Sequence, residues 1–320
     1  MATFKARIEA IIGTGDSTGN LDIWLTSGAK FVLIQIPAQK LLSYAQTVSY
    51  TGGSVALWNR KFIGVTVGGY SPILIPPGKE TQVADSASIH YATALTPAYL
   101  IKGNMVYSYP TSSSGILHAI NYPEVTNTDL GIANFPPELE DGVVLYACIT
   151  GLLQRSFDRL ATDIASMTFN APTAPTAVIT GDVSTTTTLP TFVVPVAPFD
   201  LTNAGTYTRT DEDLEKSASE LQIQQAILAK YNEDIQLANA IFQADIAKYT
   251  AELSKSKASV DIKVQQYLAQ VQNYANQVQY EVNKIGALTN KIKIFLETNQ
   301  ALASTLQAQL TALLQGYING

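Results

Sequence analysis

The sequence predicts an α+β protein: N-terminal helices with a small antiparallel β insertion, an extended Pro/Thr-rich linker, and a long C-terminal α-helical coiled coil or helical hairpin. Three observations carry this prediction. Leu214, Leu221, Leu228, Ile235, Phe242 and Tyr249 recur every seven residues, which places them on one stripe of a helix. Between Gln46 and Tyr122 the apolar period falls towards two, the signature of half-buried strands. Between these regions, residues 168–210 are rich in Pro, Thr and Val and poor in charge. The domains expected are therefore 1–167, 168–210 and 211–320.

At 320 residues and 46% hydrophobic content the chain has enough apolar material for a real core. A net charge of -6 and a pI near 5.0 argue against a dedicated nucleic-acid binder, whose affinity comes mainly from clustered Lys and Arg. The single cysteine, Cys148, excludes an internal disulfide and sits in the apolar run Val143–Leu153, where a small buried hydrophobe is expected. The opening MATFKARIEAIIGTG lacks the apolar core of a signal peptide, and no apolar run approaches the roughly 20 residues that span a bilayer. The expectation is a soluble protein that meets no membrane.

Phe4–Ile12 has the pattern of a short amphipathic helix ended by Gly13 and Gly15. Asp16, Ser17 and Thr18 offer capping oxygens for a second helix over Asn20–Ile36, which Pro37 stops. Strands are expected at Val48–Tyr50, Lys61–Val67, Tyr99–Lys102 and Met105–Tyr109. Turns are expected at Gly52-Gly53, Lys102-Gly103-Asn104 and Ser114-Gly115. Asp85–Ala94 reads as a short helix capped by Asp85 or Ser86. Phe135-Pro136-Pro137 opens the clearest helix of the first half, because proline suits a first turn and Glu138, Glu140 and Asp141 suit its positive end. Its apolar residues run from Leu139 to Ile164, so it should reach about Met167.

Repeated prolines hold residues 169–210 extended, yet Phe192, Val193, Val194 and Phe199 are too apolar for a purely solvated linker. Part of this strap should lie on a neighbouring surface, as an added strand. Thr210 caps the following helix, with Asp213 in capping-box position. The first stripe holds to Tyr249. A second, offset by one residue, runs through Val264, Val271, Val278, Ile285 and Ile292. The interruption falls at Ser254–Ser259, where either a hairpin turns or a continuous helix skips its phase, and the two readings stand level. Gln225, Asn232 and Asn239 place amides near the stripe, where they fix register and partner number. A lone rod would leave its stripe wet, so the sequence calls for a homo-oligomer or an intramolecular hairpin inside one.

Patterns that carry chemistry are weak. Gly13-Thr-Gly15-Asp-Ser-Thr-Gly19 has neither the dinucleotide spacing nor the lysine of a phosphate loop. His90 and His118 are too few for most metal sites; each would need Asp85 or Glu124 brought to it by the fold. Asp211-Glu-Asp213-Leu-Glu215 lacks the glycine and alternation of a cation loop, and it coincides with a helix start. No catalytic residue, cofactor site or metal site is assigned.

Residues 1–166 resemble the adaptor, or head-completion, proteins of the neck of tailed bacteriophages. The resemblance lies in the order of parts. A short N-terminal helix precedes LTSGAKFVLIQIP (Leu25–Pro37), a helix closed by proline. A strand-rich insertion leads to DSASIHYATALTPAYLIKGNMVYSYP (Asp85–Pro110), then NYPEV (Asn121–Val125), and FPPELEDGVVLYACITGLLQRSF (Phe135–Phe157) forms the long last helix. It covers about half of the chain; the strap and rod depart from the simplest adaptors. It implies a non-enzymatic virion structural protein, made in the host cytoplasm. Such a protein forms a homo-oligomeric, commonly twelvefold ring between the portal protein and tail or neck proteins, around the channel through which genomic DNA passes. An acidic lumen would let DNA slide. The residues it implicates are interfacial: Leu139, Val143, Leu153 and Phe157 pack the central helix, Phe192, Val193 and Val194 dock on a neighbour, and the heptad residues join the rods. Two alternatives remain: a trimeric fibre, baseplate or attachment protein, and a carbohydrate-binding β-domain on a coiled-coil stalk, with Tyr91, Tyr99, Tyr107, Tyr109 and Tyr122 as an aromatic platform.

Overall fold

A computed structural model describes residues 2–14, 18–176, 188–196, 214–255 and 261–320. The fold is α+β, with N-terminal helices, a small β region and long C-terminal helices that pack together. The chain divides into two compact units, one formed by Met1–Gly151 with Ala303–Gly320 and the other by Leu152–Leu302.

In the first unit α1 (Phe4–Ile12) begins at Thr3, whose hydroxyl accepts from the Ala6 amide, and ends at Gly13 with φ +78°. It buries Phe4, Ile8 and Ile12, the one-turn spacing that the sequence shows. Helix α2 (Thr18–Gln35) buries Leu21, Trp24, Leu25, Ala29, Val32 and Leu33. The expected caps Asp16 and Ser17 lie outside the described residues. A 3-10 turn over Pro137–Leu139 opens α4 (Glu140–Ser166), as the paired prolines require. Gly28 of α2 lets α4 approach closely: a Cβ there would stand 3.1 Å from the Val143 carbonyl and the Tyr146 ring. Arg7 of α1 reaches Glu140 at 3.4 Å and Asp141 at 2.5 Å, and Glu140 also accepts from the Ile132 amide at 2.9 Å. Late in the chain, Leu310 and Leu313 pack beside Gly142 and Val32, and the Tyr317 hydroxyl donates to the Lys40 carbonyl at 3.4 Å.

The β insertion forms two sheets. One has the order β1 (Gln46–Tyr50), β7 (Gly115–Asn121), β3 (Arg60–Val67). The other has the order β2 (Ser54–Ala56), β6 (Met105–Tyr109), β5 (Ala98–Lys102), β4 (Ile73–Leu74), with β4 parallel to β5. Their facing sides share a core of Tyr50, Leu57, Val65, Val67, Val106, Leu117 and Ala119, so alternation drives burial in both. The small antiparallel insertion is present, divided into two sheets with one short parallel pair, β4 and β5. Two expectations are corrected here. Ser114-Gly115 is not a turn between strands, because Gly115 starts β7 and pairs with Tyr50, whose ring occupies the space a Cβ would need. The helix lies at Glu80–Ala84 (α3) and not at Asp85–Ala94, where the Asp85 carboxylate accepts from the Ala87 amide and the Ser88 hydroxyl from the His90 amide. Such local side-chain bonds favour turns over helix.

In the second unit α5 (Leu214–Lys255) and the part of α6 (Asp261–Asn319) up to Leu302 run antiparallel. The pairing is fixed by Tyr249 with Tyr267 at 3.1 Å, Asn239 with Gln279 at 2.8 Å and Gln225 with Gln300 at 3.3 Å. The hairpin reading therefore holds over the continuous helix; the connection at 256–260 lies outside the described residues. Tyr231, Ile235, Phe242, Ile246, Tyr249 and Leu253 of α5 meet Val264, Tyr267, Val271, Tyr274, Val278, Val282 and Ile285 of α6 in one core. Residues Leu152–Ser166 of α4 belong to the same unit, where Asn299 donates to the Ser156 hydroxyl at 3.1 Å. Gly286 lies within α6 and faces Gln236 and Asn232, 3.6 and 3.8 Å from a would-be Cβ, which is ordinary contact. Gly286→Ala is thus expected to stabilise the unit by about 0.5–1 kcal/mol, through helix propensity, read as a rise in denaturation midpoint at unchanged slope.

Candidate interaction surfaces

The residues expected at interfaces are mostly interior to one chain. Leu139 and Val143 are buried in the first unit, Leu153 and Phe157 in the second. Leu221, Leu228, Ile235, Phe242 and Tyr249 are buried, as are Val264, Val271, Val278, Ile285 and Ile292. The side chain of Leu214 lies outside the described residues. Because each stripe is covered by the other helix, neither needs a second chain to keep it from water.

The strap splits in two. Phe192 is 9% exposed, whereas Val193 is 76% and Val194 38% exposed, so one residue of the three docks and it docks on its own hairpin. No strand forms at 188–196. Phe192 stacks on Phe169 with centroids 4.6 Å apart and meets Phe242 edge-on at 5.6 Å; Phe242 in turn meets Tyr274 edge-on at 5.4 Å. Such pairs add about 0.5–1.5 kcal/mol each beyond the area they bury. Further along the hairpin, the Tyr249 hydroxyl donates to that of Tyr267, which donates to the Pro175 carbonyl at 3.5 Å.

Burial, with the bond from Tyr249, pushes the Tyr267 phenol far above the usual tyrosine range. A raised pKa means that the folded state holds the proton more tightly than the unfolded one. Its contribution is complete below the unfolded value of about 10 and is lost as pH rises above it. Tyr267→Phe is expected to cost about 1 kcal/mol at neutral pH, through the lost bonds, and to flatten the fall of the melting temperature above about pH 10. Burial raises Tyr231 of the same unit too, so part of the slope should remain.

The first unit carries an uncovered apolar groove of about 420 Å³ at the β4 edge of the four-stranded sheet. Ile73, Ile75, Val83, Ile89, Tyr91 and Pro97 line it, with Lys79 at its rim. Ile89 is 95% and Ile73 66% exposed, with Leu74 and Leu95 also open to solvent nearby in the chain. Prolines at 72 and 76 flank β4, and the amides of Ile73 and Ile75 already donate towards β5. The edge is two residues long and bounded by prolines, which leaves little main chain to pair with, so its contacts are made mainly by side chains.

The residues considered for chemistry are scattered. Among the described residues no group of three His, Cys, Asp or Glu is placed to hold a metal ion. His90 stands in the exposed turn after α3 and His118 in β7. Cys148 is fully buried in α4. Asp211 and Asp213 and the middle of the glycine-rich stretch lie outside the described residues. Tyr99 pairs across the sheet with Ser108 and stacks on Phe62, so Tyr107 and Tyr109, one position off on the neighbouring strand, point to the other face. Tyr122 lies under the Lys30 ammonium. The five tyrosines therefore do not make one platform. No described helix is long and apolar enough to cross a membrane. No family model, curated protein or solved structure matches this chain.

Proposed function

We propose that the chain is a non-enzymatic structural protein of a tailed-phage virion. In this reading it is a neck adaptor whose copies form a ring between portal and tail around the DNA channel. The order of parts on which the resemblance rests supports it, and the uncovered groove beside β4 is the observation that carries an assembly role. Exposed apolar side chains grouped along one sheet edge are the kind of surface a partner covers. The acidic balance suits a channel that DNA slides through.

Native mass spectrometry and negative-stain images of the chain, alone and with a portal protein, test the proposal. A ring on addition of portal, commonly twelvefold, supports it; a chain that forms no ring with portal at micromolar concentration counts against it. Threefold particles would instead favour a fibre or baseplate component. Ile89→Asp, at a side chain almost fully in solvent, should leave the melting temperature within about 2 °C, since surface changes stay near ±0.5 kcal/mol, and should abolish ring formation.

A further inference from the structure

Helix α5 carries a second apolar stripe that the hairpin does not cover. Ile223 is 50%, Leu237 60% and Ile241 55% exposed, and Ile227 is half-buried between them and the inner stripe. With Lys230 and Asp234 these residues are spaced four, three, four, three and four apart, the spacing of a coiled-coil seam. The stripe is turned about 100° from the inner one, at 3.6 residues per turn.

The stripe is also palindromic in its chemistry. Ile223 and Ile241, Ile227 and Leu237, and Lys230 and Asp234 each stand at equal distances from Asn232. When two such helices cross antiparallel about a two-fold axis at the level of that residue, Ile223 faces Ile241, Ile227 faces Leu237 and Lys230 faces Asp234. A parallel pairing would oppose Lys to Lys and Asp to Asp, which costs affinity. Lys230 and Asp234 already pair within one helix at 3.0 Å, with side chains 67% and 39% exposed, so both ends of the contact are presented to a partner.

We propose that the α5 outer stripe is the docking surface for a second copy of this chain, joined antiparallel about a two-fold axis at the level of Asn232. Six layers result, from Ile223 to Ile241, over about 27 Å of helix. Branched aliphatic pairs form the outer four layers, and two intermolecular Lys230–Asp234 pairs occupy the centre and set the direction. An isologous contact closes on itself and cannot propagate round a ring. It is therefore separate from the ring contact and is read on the chain alone, whereas the ring is read with portal present.

Sedimentation velocity of the full chain, at concentrations on the order of 100 µM, tests the pairing. The wild-type chain should sediment as a dimer. K230E places two carboxylates opposite each other and should weaken the dimer at least tenfold with an unchanged far-UV spectrum, while K230E/D234K should restore it. A wild-type monomer at that concentration, an association that K230E leaves intact, or a K230E/D234K chain that stays monomeric would each overturn the proposal.

Discussion

Phe242→Ala is expected to destabilise the second unit by about 3–5 kcal/mol, the range for emptying a buried aromatic site. The ring is 3% exposed and sits between Phe192 of the strap and Tyr274 of α6, so its loss opens a cavity bounded by two other rings. Collapse cannot fill it, because Tyr274 is fixed on a helix and Phe192 is already stacked on Phe169. Denaturant titration by far-UV circular dichroism reads the loss. Phe242→Leu should cost less than half as much, since it restores most of the volume but neither edge contact. A loss below about 1 kcal/mol for the alanine variant would mean that the aromatic series is not a packed core.

The second large effect is expected at Lys61. Its ammonium donates to the carbonyls of Leu33, Ile34 and Ile36, the last turn of α2, where Pro37 ends the helix and supplies no amide of its own. A cation at this end also meets the negative pole of the helix. Lys61→Met keeps much of the aliphatic stem and removes every one of these bonds. Charge-assisted bonds of this kind are worth about 1.5–3 kcal/mol, and the orphaned carbonyls add to the loss, so about 2–3 kcal/mol in all is expected. That corresponds to a fall in melting temperature of roughly 4–12 °C for a unit of this size. Lys61→Arg should recover only part, because a planar guanidinium cannot converge on three carbonyls as a compact ammonium does.

The long helices were legible in the sequence because a sevenfold apolar repeat admits few structures. Whether they turned back was not, since Ser254–Ser259 contains neither Gly nor Pro, and what decides it is the match between two stripes distant in sequence. Phe192 could be read as a docking residue from its bulk alone. Val193 and Val194 could not be separated from it, because an extended segment sends neighbouring side chains in different directions. The strand β7 escaped notice through its first residue: Gly115 looks like a turn, yet its lack of a side chain is what makes room for the Tyr50 ring. Lys61 reads as one more polar residue of an alternating strand. The irregularity between Phe62 and Gly64, which shifts β3 against β7 by one residue, has no mark in the sequence beyond that glycine. The outer stripe of α5 was legible throughout, but it stands out only once the inner stripe is known to be satisfied.

Residues 211–320 read as a rod separate from the N-terminal half, so their removal would be expected to leave that half folded but poor at assembly. The structure argues otherwise, because Ala303–Gly320 belong to the first unit and supply Leu310 and Leu313 beside Gly142 and Val32. The hairpin can close as it is made, since the bond from Tyr249 to Tyr267 joins residues only 18 apart. The first unit cannot: the bond from Tyr317 to Lys40 spans 277 positions. A nascent chain must carry that unit with one side open while the whole second unit emerges from the ribosome. The window for chaperone binding, or for a mispairing between neighbouring nascent chains, is therefore set by translation time and closes only when the last turns of α6 arrive.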